Sequence, residues 1–156
     1  MGDNTSSITA PTTPGGPLPA GVHEHFVDAR GVRFRYLKGG AHEHGHAPIL
    51  FIHGWPSWAE VWLPVAEQIG ATHPWIAVDL PGHYKSSPLP GNEGSLTALR
   101  RAMSAFLDAM ELKRFSVVGC SIGGTLGVMM ALDRPQDVER ALNGHLLHAA
   151  PLCRVV

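Results

Sequence analysis

Short apolar runs alternate with amphipathic stretches along the middle of the chain. The runs Ile49–Ile52, Trp75–Val78 and Phe115–Val118 are mostly apolar on both faces, which is typical of strands buried in a parallel sheet. The stretches between them repeat apolar residues at helical spacing, first at Trp58, Val61, Trp62, Val65 and Ile69, and again at Leu96, Leu99, Met103, Phe106, Leu107 and Met110. This alternation predicts the α/β class, with a mostly parallel sheet flanked by helices.

Capping and breaking residues indicate where the helices begin and end. Pro64 predicts that the regular part of the first helix begins late or bends there. Ser95 has the residue type and position of an N-cap for the second helix. A third helix is predicted from Ser121 to Asp133, because the following Arg134-Pro135 disfavours its continuation.

Further strands are expected near both ends of the chain. Phe26–Ala29 and Val32–Leu37 read as a hairpin around an Arg30-Gly31 turn, in which Arg33 and Arg35 alternate with apolar residues as on a half-exposed strand. The pattern weakens after Asp137, and His145–His148 is the expected last strand.

The N-terminal residues differ in composition from the rest of the chain. Residues 1–21 are rich in Ser, Thr, Pro and Gly and carry almost no large apolar side chains, so we expect a disordered arm there. Residues 22–156 are then expected to form the folded core, with order beginning near His25.

Composition and charge exclude several classes of protein. Twelve basic and thirteen acidic residues give a net charge of −1, which offers no field for a nucleic-acid backbone. Cys120 and Cys153 are too few for a disulfide scaffold and lack the spacing of a zinc site. The sequence has no secretory signal and no apolar run long enough to span a membrane, so we expect a cytoplasmic protein with no membrane or nucleic-acid partner.

The string Gly119-Cys120-Ser121-Ile122-Gly123-Gly124 is the strongest chemical signal in the sequence. Ser121 falls between a predicted buried strand and a predicted helix, which is the context of a nucleophile elbow. Such a turn needs small residues on either side, and Gly119 and Gly123 supply them. The alternative is a tight strand-to-helix turn that carries a solvated serine.

A second motif, His53-Gly54-Trp55-Pro56, directly follows the first apolar run. An acyl-transfer site needs two N–H groups aimed at the developing oxyanion. The residue after the nucleophile, Ile122, supplies one of them, and the loop after this strand is the usual source of the other, for which we choose Trp55. The alternative is an ordinary turn at the end of a strand.

Together with Asp79-Leu80-Pro81-Gly82-His83-Tyr84-Lys85-Ser86-Ser87, these motifs resemble, in residues and order, the N-terminal half of the α/β-hydrolase superfamily. The resemblance implies a partial α/β-hydrolase fold of about the first six strands, in the spatial order 1-2-4-3-5-6. It also implies a serine nucleophile at Ser121 and an acyl-enzyme route to hydrolysis of a small ester, lactone or amide. His53, Gly54, Pro56 and Asp79 fall at positions that shape the pocket wall.

Two residues depart from the patterns of the branches that the HGWP motif suggests. This motif is common in epoxide-hydrolase-like and haloperoxidase-like members, yet epoxide hydrolases and haloalkane dehalogenases carry aspartate where this chain has Ser121. Tyr84 stands where the family's pattern has glycine, which puts the loop conformation around His83 in question.

The resemblance also implies a triad acid and histidine after the elbow, and few residues follow Ser121. His148 is the candidate base, without an evident carboxylate partner. We therefore expect the chain to be a truncated or frame-shifted product of a longer hydrolase gene and nearly inert by itself. The alternative is a short natural protein that uses the half-fold for binding. An open sheet edge would favour self-association in either case.

No cofactor or metal is expected. The run His42-Glu43-His44-Gly45-His46 could hold a metal ion, but a solvated, His-rich loop is the favoured interpretation because glycine-flanked loops rarely provide rigid ligand geometry. The expected partner is a small-molecule substrate.

Overall fold

A computed structural model describes residues 14–42 and 45–144 of the chain. Its strands are β1 His23–Ala29, β2 Val32–Gly39, β3 Ile49–Ile52, β4 Trp75–Val78, β5 Phe115–Cys120 and β6 Val138–Gly144. Its helices are α1 Leu63–Ile69, α2 Leu96–Ala109 and α3 Ile122–Asp133, with 3₁₀ turns at Ala59–Trp62 and Pro90–Asn92.

The described strands form one sheet in the order β1-β2-β4-β3-β5-β6. Strand β2 pairs antiparallel with β1 and β4, whereas β3, β4, β5 and β6 run parallel to one another. The fold class predicted from the sequence, a mostly parallel α/β sheet in the order 1-2-4-3-5-6, is therefore confirmed.

The turn and helix signals act where they were expected. Arg30 and Gly31 both have positive φ, at 50° and 80°, which is the geometry of a tight hairpin turn. The segment before Pro64 is a 3₁₀ turn, and α1 begins at Leu63 with the proline in its first turn. Ser95 caps α2, since its Oγ accepts the N–H of Ala98 at 3.1 Å.

Apolar side chains fill both faces of the sheet. On one face α2 and α3 cover a cluster in which the Phe106 ring packs at 5.1 Å from Phe34 and 5.9 Å from Tyr36. On the other face Leu63 and Ala66 of α1 belong to a second cluster. Because both faces carry apolar side chains, the central strands read as unbroken apolar runs.

The structure tests the expectations for the two chain ends only where it describes them. The last described strand is Val138–Gly144, immediately after α3, and the expected strand His145–His148 lies outside the described residues. Strand β6 was missed because most of its side chains are exposed, so it lacks an apolar run. Leu18 already packs against the second cluster, earlier than the expected start near His25. Residues 1–13 of the predicted arm lie outside the described residues.

Candidate active site

Ser121 lies at a sharp bend between β5 and α3. Its φ of 52° and ψ of −120° fall outside the regions that residues with a side chain normally occupy. Such a conformation costs on the order of 1–3 kcal/mol and must be held by its surroundings. The Ser121 N–H donates to the Gly144 carbonyl at 3.3 Å, and its own carbonyl accepts the Thr125 N–H at 3.0 Å. The residue is exposed to solvent.

Two glycines allow the bend to pack closely. A Cβ on Gly119 would overlap the backbone of Gly123, and a Cβ on Gly123 would overlap the carbonyl of Ile52 in β3. Helix α3 therefore starts in direct backbone contact with β3 as well as β5. This is the close approach for which the elbow motif predicts small residues.

The loop that follows β3 lies directly against the bend. A Cβ built on Gly54 would be 3.2 Å from the Cβ of Ser121 and 3.1 Å from the Cys120 carbonyl oxygen. The next residue, Trp55, is 73% exposed and is joined to Pro56 by a cis peptide bond. The structure thus brings together the two motifs, which are far apart in the sequence.

His53 is fully buried and anchors this loop. Its Nε2 is 3.0 Å from the Leu80 nitrogen, which can only donate, so Nε2 accepts and the proton resides on Nδ1. Nδ1–H then donates to the Gly54 carbonyl at 2.8 Å. Burial lowers the pKa of His53 to about 4, which keeps the ring neutral at physiological pH.

The hydrogen bond from His53 also sets the direction of a neighbouring donor. The Gly54 carbonyl and the Trp55 N–H belong to one peptide unit, and in a trans peptide they point in opposite directions. Because the carbonyl points at the buried His53 ring, the Trp55 N–H points away from it.

A cavity of about 350 Å³ lies beside the bend, within the size range of small-ligand sites. Trp55 and Ile122, the residues chosen as oxyanion donors, both contribute to its wall. The other lining residues come from the chain between β4 and α2 and from α2 itself; they are Leu80, Pro81, Gly82, His83, Pro88, Leu89, Asn92, Glu93, Gly94 and Leu99. Most of the wall is apolar, so the cavity suits a small apolar group.

The residues expected in the pocket wall take other positions. His53 and Gly54 are buried and Pro56 is exposed, and none of the three lines the cavity. Asp79 is buried too, and its Oδ1 accepts the Ala59 N–H at 2.7 Å. His53 and Asp79 thus support the loops that form the wall.

Tyr84 adopts a backbone conformation that is unusual for its residue type. Its φ is 45°, the left-handed region that a glycine would occupy easily. Its ring lies against two cations, with the Arg35 guanidinium carbon 4.6 Å and the Lys85 Nζ 5.3 Å from the ring centre. These contacts help to hold a tyrosine where the family's pattern has glycine.

Arg35 corrects the expectation of a half-exposed strand. Arg33 is exposed, but Arg35 is only 1% exposed and pairs with two buried carboxylates. Its Nη2 donates to Glu60 at 2.7 Å and its Nη1 donates to Asp79 at 2.8 Å. Burial raises the pKa of Asp79, against the opposing effect of the Arg35 hydrogen bond. Alternation along β2 could not reveal this cluster, because it puts Arg35 on the same face as the exposed Arg33.

The predicted base, His148, lies outside the described residues. Within residues 14–42 and 45–144, the Ser121 hydroxyl makes no hydrogen bond to a histidine. His83 lines the cavity, but its Nδ1 donates to the Pro81 carbonyl at 3.2 Å. In the same part of the chain, no three His, Cys, Asp or Glu side chains are grouped to hold a metal ion.

None of the helices in the described residues is both long and apolar enough to cross a lipid bilayer.

Comparisons with known proteins agree with this geometry. Residues 47–142 match the family model of the alpha/beta hydrolase fold. The dihydrolipoyllysine-residue acetyltransferase component of the acetoin cleaving system of Cupriavidus necator is 32% identical, over 87% of this chain and 35% of that protein. A monoacylglycerol lipase of Homo sapiens is 28% identical, over 76% of this chain and 36% of that protein.

A solved structure shares the fold. The haloalkane dehalogenase of Agrobacterium tumefaciens superposes with a TM-score of 0.71 at 27% identity, over 81% of this chain and 41% of that one. The chain spans about a third of the length of the curated relatives it matches. By its matching residues, sheet order and motifs, this chain belongs to the alpha/beta hydrolase fold family.

Proposed function

We propose that this chain carries the nucleophile and oxyanion hole of a serine hydrolase that acts on a small ester, lactone or amide through an acyl-enzyme. One observation carries the proposal. Ser121 is exposed at a strained bend, with the Gly54-Trp55 loop packed directly against it. An ordinary turn with a solvated serine would not require a strained positive φ or close packing against the buried Gly54.

The proposed chemistry follows from the groups at the bend. The Ser121 Oγ attacks the substrate carbonyl carbon, and the carbonyl oxygen becomes an oxyanion. The N–H groups of Trp55 and Ile122 stabilise this charge, and the start of α3 adds the positive end of a helix dipole. Collapse of the intermediate expels the alcohol or amine and leaves an ester on Ser121, which water then hydrolyses.

The identity of the nucleophile favours acyl over alkyl chemistry. A serine attacks a carbonyl and forms an ester that water can cleave, whereas opening an epoxide or displacing a halide through a covalent ester requires a carboxylate nucleophile. We therefore propose an ester-like substrate for this chain, although one of its structural relatives is a haloalkane dehalogenase.

Activation of the hydroxyl needs a base, and His148 is our candidate for that role. Loss of the histidine cost on the order of 10⁶ in turnover in a serine protease where it was measured. His148 has no evident carboxylate partner to orient it, so we propose that the 156-residue chain turns over esters very slowly.

Chemical rescue by imidazole tests this proposal. We expect p-nitrophenyl butyrate to acylate Ser121 slowly, as seen by intact mass and peptide mapping. Added imidazole should raise the Ser121-dependent rate about tenfold, because it supplies part of the missing base catalysis. Imidazole also cleaves such esters in solution, so Ser121→Ala provides the background rate.

Two results would contradict the proposal in different ways. Fast turnover without imidazole that disappears in Ser121→Ala would show that the chain has a working base. No adduct on Ser121, with or without imidazole, would remove the hydrolase assignment and favour the alternative, a hydrolase-derived interaction module.

A further inference from the structure

A second, smaller cavity of about 140 Å³ adjoins the apolar one. Leu89 and Glu93 line both cavities, so the two cavities meet at these residues. The smaller cavity differs in chemistry, because Arg30 and Arg101 both line it. The remaining wall is formed by Val32, Pro90, Ala98 and Ala102.

The two arginines come from elements that pack against the same segment. Arg30 lies in the β1–β2 turn at a φ of 50°, and Arg101 lies on α2. The turn contacts the segment directly, since a Cβ on Gly31 would be 3.1 Å from Cγ of Pro90. Both arginines are therefore attached to folded elements rather than to a free loop.

Neither arginine has an acidic partner in the described part of the chain. Other arginines of the same elements do have acidic partners. Arg35 pairs with Glu24, Glu60 and Asp79, and Arg100 pairs with Asp133. The one carboxylate in the wall is Glu93, whose Oε1 accepts the Ser95 hydroxyl at 2.9 Å. Two positive side chains and one negative side chain thus leave the smaller cavity net positive.

We propose that this smaller cavity binds an oxyanion, a carboxylate or a phosphate, at the far end of the substrate. The inference rests on the proposed function. The ester carbonyl would lie at Ser121, the apolar middle of the molecule in the larger cavity, and the anion between Arg30 and Arg101. Guanidinium groups suit this role because they donate paired N–H bonds to planar or tetrahedral oxyanions. The substrate class is then an ester with an anionic tail.

The test compares binding of monomethyl adipate, which has one free carboxylate, with binding of dimethyl adipate, its neutral analogue. Binding is measured by NMR titration on the Ser121→Ala variant, so that no turnover is needed. We expect the half-ester to bind about tenfold more tightly than the diester, and to lose this advantage as ionic strength rises.

Charge variants sharpen the test. Arg30→Gln and Arg101→Gln should each weaken half-ester binding about fivefold and leave diester binding unchanged. Glu93→Gln keeps an oxygen that can accept from Ser95 but removes the negative charge, so it should tighten half-ester binding. Lys113→Gln, at an exposed position between α2 and β5, is the matched control and should change nothing.

Butyl phosphate separates the two sources of the anion. If butyl phosphate binds more tightly than the half-ester, the group that the smaller cavity prefers is a phosphate. If the half-ester binds more tightly, that group is a carboxylate. Equal affinity for half-ester and diester, no binding of either, or insensitivity to both arginine substitutions would overturn the anion site. The proposed function would survive any of these results if Ser121 is still acylated by p-nitrophenyl butyrate, and it would fail separately if no adduct forms.

Discussion

The peptide between Gly54 and Trp55 is held by one buried side chain. His53 donates to the Gly54 carbonyl and accepts from Leu80, so its ring links the loop after β3 to the loop after β4. The direction of the Trp55 N–H follows from this link, because the Gly54 carbonyl and the Trp55 N–H belong to one peptide unit. His53 is thus a positioning residue for the proposed oxyanion hole.

Replacing His53 should affect the reaction rate and the stability of the fold to different extents. We expect His53→Ala to lower the rate of Ser121 acylation about 10²-fold, the usual cost of losing one oxyanion donor. It should lower the free energy of unfolding by about 1–3 kcal/mol, because Leu80 N–H and the Gly54 carbonyl lose their partner. His53→Asn retains an N–H donor and should recover part of the rate. The acylation rate is measured by intact mass, and stability is measured by urea unfolding. A fall in rate no larger than the fraction of unfolded protein explains would contradict the positioning role.

The low pKa of His53 makes stability depend on pH. Unfolded His53 takes up a proton below about pH 6.5, whereas the folded ring stays neutral down to a pKa of about 4. The unfolded state therefore binds more protons in this window, and stability falls as pH decreases, by about 1.4 kcal/mol per unit at most. Urea unfolding of the parent chain and His53→Asn from pH 4 to 8 measures the difference. Parallel stability curves for the two proteins would contradict the assignment.

At the scale of secondary-structure elements, Arg35 joins three parts of the fold through ion pairs. Its guanidinium bridges Glu24 of β1, Glu60 of the 3₁₀ turn before α1, and Asp79 at the end of β4. Asp79 also accepts the Ala59 N–H, which fixes the chain just after the Trp55 loop. The ionic cluster therefore helps to hold the chain that follows the Trp55 loop in place.

Removing Arg35 should be far more damaging than removing its exposed neighbour. Arg35→Ala leaves Glu60 and Asp79 buried without their cation, and we expect a loss of about 3–5 kcal/mol in the free energy of unfolding. Arg33→Ala, on the same strand but exposed, should cost less than about 1 kcal/mol. Chemical denaturation of both variants measures the contrast, and similar losses would show that the cluster contributes no net stability.

The sequence alone predicted the elements that have a repeating pattern. Strands β3, β4 and β5 are apolar runs, and α2 has an apolar face with a serine cap, so their existence and order could be predicted. The burial of Arg35 could not be predicted, because alternation along β2 indicates a strand with one solvent-exposed face. In the structure most of this strand is buried. Strand β6 could not be placed because it has few buried side chains. At the site, glycine spacing indicated the Ser121 bend, but nothing in the pattern indicated what His53 would bond.

At the scale of the whole molecule, the sheet ends on a strand with one described partner. Strand β6 pairs with β5, and in the described residues its other edge has no pairing strand. The neighbouring helix α3 has exposed apolar side chains, including Leu132 at 76% exposure. Unpaired strand edges and exposed apolar groups both favour association between chains.

We therefore predict concentration-dependent self-association through β6. Ala141→Lys places a charge at an exposed position on this strand and should shift the equilibrium toward monomer, because charged residues discourage edge pairing. Glu67→Lys, at an exposed position on α1, provides the control. Sedimentation velocity over a range of concentrations measures the mass. A chain that is monomeric throughout, or that associates equally with Ala141→Lys, would contradict the prediction.

The proposed nucleophile and the wall of the neighbouring cavity come from different parts of the fold. Ser121 and the Gly54-Trp55 loop follow β5 and β3, which are hydrogen-bonded neighbours, and backbone contacts fix their spacing. Most of the cavity wall comes instead from side chains between Leu80 and Gly94, outside the strands. Randomising that stretch should therefore change which molecules the cavity accepts without moving Ser121 or the Gly54-Trp55 loop.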